Sequence, residues 1–174
     1  MKGALGFTLV ELMIALTVLG ILAAAALPSM TTFVKGQRVK AAVSDVYASL
    51  IFARSEAIKR NQRVVLCASS DGTGCANSTN WAQGWIIFID ADGDGFVGAV
   101  ADILKKQGAI PAVTLTGTGT NATFLLDGRV NANVPDFVIS SADTPSITAR
   151  CVRLDLSGRP NIKVDTNGNS ANGC

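Results

Sequence analysis

The sequence predicts an α+β protein in which one long N-terminal helix packs against an antiparallel β-sheet head. Two patterns carry this prediction. An uncharged apolar run from Leu12 to Val34 directly follows a carboxylate, and a helical repeat of apolar residues continues to about residue 61. From residue 62 onward, short β-like runs alternate with turn residues. The 174-residue chain leaves about 110 residues for one compact head after the helix.

The N-terminal run is uncharged from Leu12 to Val34, which is long enough to cross a membrane. Glu11 directly precedes it, and an ionisable group at hydrocarbon depth costs roughly 2.5 to 3.5 kcal/mol or more without a partner. We therefore expect Glu11 to be paired. A secretory signal peptide and an ordinary single-span anchor are competing interpretations. The alanines from Ala23 to Ala26 imitate a signal cleavage site, whereas Glu11 weakens a conventional signal.

The second half of the helix, residues 35–61, is predicted from apolar residues spaced alternately by four and three positions. These residues are Val39, Val43, Val46, Leu50, Ala53 and Ala57. The opposite side carries the charged residues Lys40, Asp45, Arg54, Lys59 and Arg60. Pro28 and Gly36 interrupt the helical pattern, and proline removes an intrahelical hydrogen bond. We expect a kink or a loosened stretch at Pro28.

The head, residues 62–174, contains five predicted strands, each of them rich in β-branched or aromatic residues and bounded by turn residues. They are Arg63 to Cys67, Gly84 to Asp90, Ala122 to Leu126, Asp136 to Ser140, and Ile147 to Leu156.

Four cysteines lie in the head, at positions 67, 75, 151 and 174. An even number behind an export segment indicates disulfides, and three pairings are possible. We favour Cys67 with Cys75 across a short loop, and Cys151 with Cys174 to attach the tail, at about 2 to 4 kcal/mol each. A zinc site is the weaker alternative because the chain has no histidine. Disulfides place the head in an oxidising compartment outside the cytoplasm.

The segment Gly6-Phe7-Thr8-Leu9-Val10-Glu11-Leu12 resembles the processing and assembly signature of type IV pilins and pseudopilins. The resemblance implies that a prepilin peptidase cuts between Gly6 and Phe7 and methylates the new amino terminus of Phe7. Residues 1–6 are then a leader peptide, and residues 7–34 are a transmembrane and assembly helix. It also implies that Glu11 pairs with the amino terminus of a neighbouring subunit in the filament.

Three further segments resemble the minor pilin branch called FimT, FimU and GspH: Ala53 to Asn61, Trp85 to Asp90, and Gly158-Arg159-Pro160. The implied function is that of a minor type IV pilin that primes assembly or joins the tip complex to the shaft. A GspH-like pseudopilin of type II secretion is the alternative. The implied partners are the other minor pilins, the major pilin and an inner-membrane assembly platform. The implied location is the inner membrane with a periplasmic head, then the filament.

Two binding sites are weaker hypotheses. Asp90, Asp92 and Asp94 resemble the opening of a calcium loop, but position twelve is Ala101, so turn geometry is the favoured explanation. Some FimT-type pilins bind DNA through a Gly-Arg-x-Arg motif, and here Asn161 replaces the second arginine. The basic residues that could still contact phosphates are Arg150, Arg153, Arg159 and Lys163.

Catalysis has little support in the sequence. The chain has no histidine for acid-base chemistry, and no serine or lysine lies in a recognisable catalytic motif. We therefore predict a structural subunit that is no enzyme and has no cofactor.

Overall fold

The computed structural model describes residues 8–131 and 134–165, and it describes the side chains of these residues except for residues 24–29. The chain divides into two compact units, Met1–Val34 and Lys35–Cys174. The helices and strands are α1 (Leu9–Arg60), β1 (Arg63–Ala68), β2 (Trp85–Asp90), β3 (Ile103–Gln107), β4 (Val113–Gly117), β5 (Asn121–Phe124), β6 (Phe137–Ser141), β7 (Arg150–Leu154) and β8 (Pro160–Val164). Short 3₁₀ turns lie at Trp81–Gln83 and Val100–Asp102.

Helix α1 has the amphipathic face that the sequence predicts. All six residues of the apolar repeat from Val39 to Ala57 are at least 96% buried. Lys40 and Asp45 on the opposite side are exposed. The helix runs without a break from Leu9 to Arg60, so neither Pro28 nor Gly36 ends it. The side chain of Pro28 lies outside the described residues, and the kink expected there stays a prediction.

The eight described strands form two antiparallel sheets rather than one. The first sheet has the order β3-β2-β1-β5, and the second has the order β4-β6-β7-β8. The α+β class is therefore confirmed. Four predicted strands correspond to β1, β2, β5 and β6 within one or two residues. The predicted strand Ile147 to Leu156 was too long, because β7 covers only Arg150–Leu154. Strands β3, β4 and β8 were not predicted.

The main core lies between α1 and the inner faces of both sheets. Side chains alternate along each strand. In β1, Val64 and Leu66 face this core, while Val65 and Cys67 join a smaller cluster with Ile86 and Phe88 on the outer face of the first sheet. The first sheet is thus apolar on both faces. The partly buried side chains of Cys75 and Val97, from neighbouring loops, pack against the smaller cluster.

Cys67 and Cys75 form a disulfide, as predicted, with a Cα–Cα distance of 5.6 Å. The bond holds the loop after β1 against the smaller cluster, because Cys67 is fully buried there and Cys75 packs beside it. Cys151 is also disulfide-bonded. Its predicted partner, Cys174, lies outside the described residues, so the pairing of these two cysteines stays a prediction.

Candidate assembly and binding surfaces

The first turn of α1 is closed by a reciprocal cap between Thr8 and Glu11. The Thr8 backbone N–H and hydroxyl both donate to Oε2 of Glu11 at 3.0 Å, and the Glu11 N–H donates to Oγ1 of Thr8 at 3.2 Å. A Thr and a Glu three positions apart satisfy two backbone donors that a helix start leaves open. The cap holds the Glu11 carboxylate at the start of the helix, where it is exposed. Gly6 and Phe7 lie outside the described residues.

Large apolar side chains along the first half of α1 are exposed. Leu9 is 74% exposed, Leu19 is 63% exposed and Ile21 is 71% exposed. Exposed apolar surface on this scale marks an interaction surface. Among the described residues, no helix has a stretch long and apolar enough to cross a membrane.

The acidic residues at the end of β2 and just after it converge, as the calcium hypothesis requires. Carboxylate oxygens of Asp90, Asp92 and Asp94 lie within 4.8 Å of one another. Asp90 is buried, and its Oδ1 accepts the N–H of Gly93 at 2.9 Å. The guanidinium of Arg63 lies beside Gly93. Turn geometry explains the positions of these residues, so calcium binding stays an untested hypothesis.

Three of the four basic residues proposed for DNA contact line one surface cleft. Arg153, Arg159 and Lys163 border a cleft of about 550 Å³ on β7 and β8. Nε of Arg153 is 3.0 Å from Oδ2 of Asp136, so this arginine is already paired. Arg150 is three positions from Arg153 and therefore lies on the opposite face of β7. The structure does not bring all four residues to one face.

Two turns that share the sequence Leu-x-Gly-Arg lie together beside α1, and the sequence did not predict that they would meet. We call residues 125–129 and 155–159 the paired turns; they read Leu-Leu-Asp-Gly-Arg and Asp-Leu-Ser-Gly-Arg. In both, the first N–H donates to the carbonyl of the last residue, and the glycine N–H donates to the carbonyl of the first. Gly128 and Gly158 have φ values of 77° and 76°, which glycine adopts without strain.

The paired turns contact each other and the helix. The N–H of Val130 donates to the carbonyl of Leu156 at 3.1 Å. Nε of Arg54 on α1 donates to the carbonyl of Gly128 at 3.2 Å. These contacts connect α1, the first sheet and the second sheet at one place. The repeated Leu-x-Gly-Arg sequence is the signal that could have identified the pair.

Comparison with known proteins agrees with this architecture. Residues 42–158 match the family described as Type II transport protein GspH, and residues 1–27 match the prokaryotic N-terminal methylation motif. The chain belongs to the GspH family of minor pilins and pseudopilins. A fimbrial protein of Pseudomonas aeruginosa is 35% identical to this chain over 128 residues, which cover 70% of the chain and 82% of the fimbrial protein.

Two solved structures share the fold. The type IV minor pilin FimU of Pseudomonas aeruginosa has a TM-score of 0.60 at 20% identity, and the match covers 79% of this chain and 96% of FimU. The minor pseudopilin EpsH from the type 2 secretion system of Vibrio cholerae has a TM-score of 0.51 at 13% identity, with 76% and 99% covered. At these identities the two structures show a shared fold. The family match and the methylation motif are what make the chain a minor pilin or pseudopilin.

Proposed function

We propose that this chain is a minor type IV pilin that primes filament assembly or joins the tip complex to the shaft. The observation that carries the proposal is the Glu11 carboxylate, which the Thr8 cap holds at the start of an exposed apolar helix. The sequence similarity to a fimbrial protein favours the pilus over the secretion pseudopilus.

The proposed pathway begins in the inner membrane. Residues 7–34 anchor the chain, residues 35–61 connect the anchor to the head, and residues 62–174 form a periplasmic head with a disulfide-bonded tail. Prepilin peptidase removes residues 1–6 and methylates the amino terminus of Phe7. The chain is the substrate of that enzyme, has no catalytic activity of its own and needs no cofactor.

Assembly transfers the apolar half of α1 from lipid to the stems of neighbouring subunits, namely other minor pilins and the major pilin at the assembly platform. The stems replace lipid around the apolar side chains of α1, so these side chains stay out of water during the transfer and gain packing contacts with neighbouring helices. A carboxylate among these stems needs a cationic partner. The methylated amino terminus of a neighbour supplies that charge to Glu11, while the backbone N–H of Thr8 holds the carboxylate at the start of the helix.

The test compares three variants expressed in a piliated host: Glu11→Gln, Glu11→Ala and Thr8→Ala. The first two remove the charge. Thr8→Ala removes the hydroxyl donor of the cap but keeps both the carboxylate and the backbone N–H that donates to it, so it is the matched control. We expect the Glu11 variants to be processed normally but to fall at least ten-fold in sheared filaments on immunoblots. Thr8→Ala should assemble at near wild-type levels. Normal assembly of Glu11→Gln would reject the proposed role of the carboxylate.

Processing is tested at the proposed cleavage site. Gly6→Leu should block trimming because a bulky residue replaces the glycine, whereas Gly6→Ala should be accepted. Intact mass spectrometry of the purified protein should show a methylated Phe7 terminus for the wild type and for Gly6→Ala. Recovery of mature wild-type chains that still begin at Met1 would reject the processing step.

DNA binding is the second candidate, favoured by the cleft that Arg153, Arg159 and Lys163 share. Phosphate contacts from these residues would give nonspecific, salt-sensitive affinity. Gel shifts at low salt should compare the wild type with the double variant Arg159→Ala and Lys163→Ala. The candidate predicts weaker binding by the double variant. Equal binding, or binding by neither protein, would dismiss it.

A further inference from the structure

A surface cavity of about 550 Å³ lies on the second sheet, beside the connection from β6 to β7. Hydroxyl residues and one carboxylate line it, among them Thr114, Ser140, Thr144, Ser146, Thr148 and Asp165. We call it the hydroxyl cavity. Among the described residues that line it, Asp165 is the only one that carries a charge. A cavity of oxygen atoms with one negative charge favours a ligand that is cationic and donates hydrogen bonds.

The carboxylate of the hydroxyl cavity is buried. Asp165 is only 6% exposed, and its N–H donates to the carbonyl of Ala149 at 3.0 Å, which fixes the residue beside β7. A carboxylate accepts about four hydrogen bonds, so Asp165 can receive further donors beside the groups that it already contacts. A buried negative charge is costly unless a cation or hydrogen-bond donors compensate for it. An ammonium group in the cavity supplies both.

A lysine of α1 marks the rim of the hydroxyl cavity. Nζ of Lys35 donates to Oγ1 of Thr144 at 3.0 Å, and Thr144 lines the cavity. A lysine ammonium has three donors, so Lys35 can bind an anion in addition to this hydroxyl. Arg38 lies three positions later on the same side of the helix and is exposed. An anionic group at the rim therefore meets two cations.

The place of Lys35 in the chain indicates where such a ligand comes from. Lys35 directly follows the uncharged run from Leu12 to Val34, which belongs to the proposed membrane anchor. The headgroup layer of a bilayer is about 5 to 7 Å deep on each side. A helix rises about 1.5 Å per residue, so with this anchor Lys35 and Arg38 lie at the level of the lipid headgroups. The hydrogen bond from Lys35 places Thr144 at the same level.

We propose that the hydroxyl cavity binds a phospholipid headgroup that joins a phosphate to a primary ammonium, as in phosphatidylethanolamine. The ammonium donates to Asp165 and to the hydroxyl oxygens, while Lys35 and Arg38 bind the phosphate. The cavity supplies the negative group and its rim supplies the positive groups, which is the arrangement that a zwitterion requires. Phosphatidylcholine has the same charges without N–H donors, and phosphatidylglycerol has no ammonium, so neither satisfies both parts of the site.

This inference rests on the membrane anchor of the proposed function and adds a lipid that holds the head of the unassembled subunit at the membrane surface. It does not depend on Glu11. Incorporation of the full chain into lipid nanodiscs tests the anchor by itself. A chain that stays out of the nanodiscs contradicts both the anchor and the lipid site. A chain that enters them without selecting phosphatidylethanolamine contradicts the lipid site alone.

The first experiment places the full chain in nanodiscs of phosphatidylethanolamine, phosphatidylcholine and phosphatidylglycerol in equal parts. Native mass spectrometry then identifies the retained lipids. We expect about ten-fold enrichment of phosphatidylethanolamine over each of the others, because only this headgroup makes charge-assisted hydrogen bonds at both ends. Lys35→Gln and Asp165→Asn should each abolish the enrichment. The matched controls Lys40→Gln and Asp143→Asn remove the same charges from exposed residues outside the site and should retain it.

A second pair of variants tests the cavity without changing any charge. Thr114→Leu fills part of the cavity, whereas Thr116→Leu changes the next exposed residue on the same face of β4, which is not among the lining residues. Both variants should unfold at the wild-type midpoint in denaturant, which shows that the head is intact. Thr114→Leu should lose the lipid enrichment, and Thr116→Leu should keep it.

The inference fails on any of four results. Equal retention of the three lipids by the wild type would show that no headgroup is selected. Enrichment of phosphatidylglycerol instead would mean that the cations alone attract an anionic surface. Enrichment that survives both Asp165→Asn and Thr114→Leu would place the lipid on another surface. Binding of soluble glycerophosphoethanolamine without any lipid enrichment in nanodiscs would assign the cavity to a dissolved ligand.

Discussion

Gly158 lies directly against the carbonyl oxygen of Gly128. A Cβ atom built on Gly158 would collide with that oxygen, and its φ of 76° is unfavourable for other residues. The same oxygen accepts the hydrogen bond from Nε of Arg54. One backbone carbonyl therefore joins the helix to turns from both sheets, which makes it a sensitive point for the stability of the head.

Gly158→Ala should lower the free energy of unfolding of the head by about 1 to 3 kcal/mol, because the new Cβ forces the turns apart and strains the backbone. Both tryptophans of the chain, Trp81 and Trp85, are buried in the main core. Denaturant titration followed by tryptophan fluorescence therefore reports on head unfolding. Gly108→Ala is the control, since a Cβ there meets nothing within 4 Å. Equal stability of the two variants would contradict the close packing of the paired turns.

Arg54→Ala should destabilise the head by about 1 to 3 kcal/mol, because it removes the donor to the buried Gly128 carbonyl. The same fluorescence titration measures the change. Arg38→Ala is the matched control on an exposed position of the same helix and should change stability by less than about 0.5 kcal/mol. If both arginine variants unfold at the wild-type midpoint, Arg54 does not support the turns.

The helix and the central strands could be predicted because their patterns are local. The apolar repeat from Val39 to Ala57 defines a helix face, and β1 and β2 are continuous apolar runs that are buried on both faces. Two of the three strands that were not predicted lack such signals. Pro160–Val164 is an exposed edge strand that begins with proline, and Ile103–Gln107 has only two apolar residues. The third, Val113–Gly117, alternates apolar residues with threonine, which is the period-two pattern of a half-buried strand.

The candidate surfaces were predicted unevenly for a similar reason. Glu11 is conspicuous because a charge beside an apolar run requires an explanation, and the Asp90 cluster is visible as three aspartates at alternate positions within five residues. The paired turns are separated by 30 positions, and each taken alone is an ordinary Gly-containing turn. Their contact depends on how the two sheets pack. Arg150 and Arg153 lie on opposite faces of β7 because their spacing of three is odd in a strand.

Replacing both Cys67 and Cys75 by alanine should lower the free energy of unfolding by about 2 to 3 kcal/mol. The bond joins two cysteines that are eight positions apart, and without it the unfolded chain has more conformational entropy. Fluorescence titration measures the change in the free energy of unfolding of the whole head. The N–H of Ala76 donates to the carbonyl of Ala68 at 2.7 Å, and this N–H should exchange faster with solvent hydrogen in the variant. Unchanged exchange would mean that the loop holds its position without the bond.

Asp71 should make the disulfide loop sensitive to acid. Hydrogen bonds hold the pKa of this carboxylate well below the ordinary value of 3.8. The largest effect comes from the Thr73 hydroxyl, and the backbone N–H groups of Thr73 and Gly74 add to it. Because the folded pKa is lowered, the stabilisation is complete above the ordinary value and is lost as the pH falls toward the folded pKa. The amide NMR signals of Thr73 and Gly74 should therefore shift only at pH values below 3.8. Asp71→Asn should abolish that titration. A midpoint at or above the ordinary value would contradict these hydrogen bonds, because a carboxylate without donors titrates there.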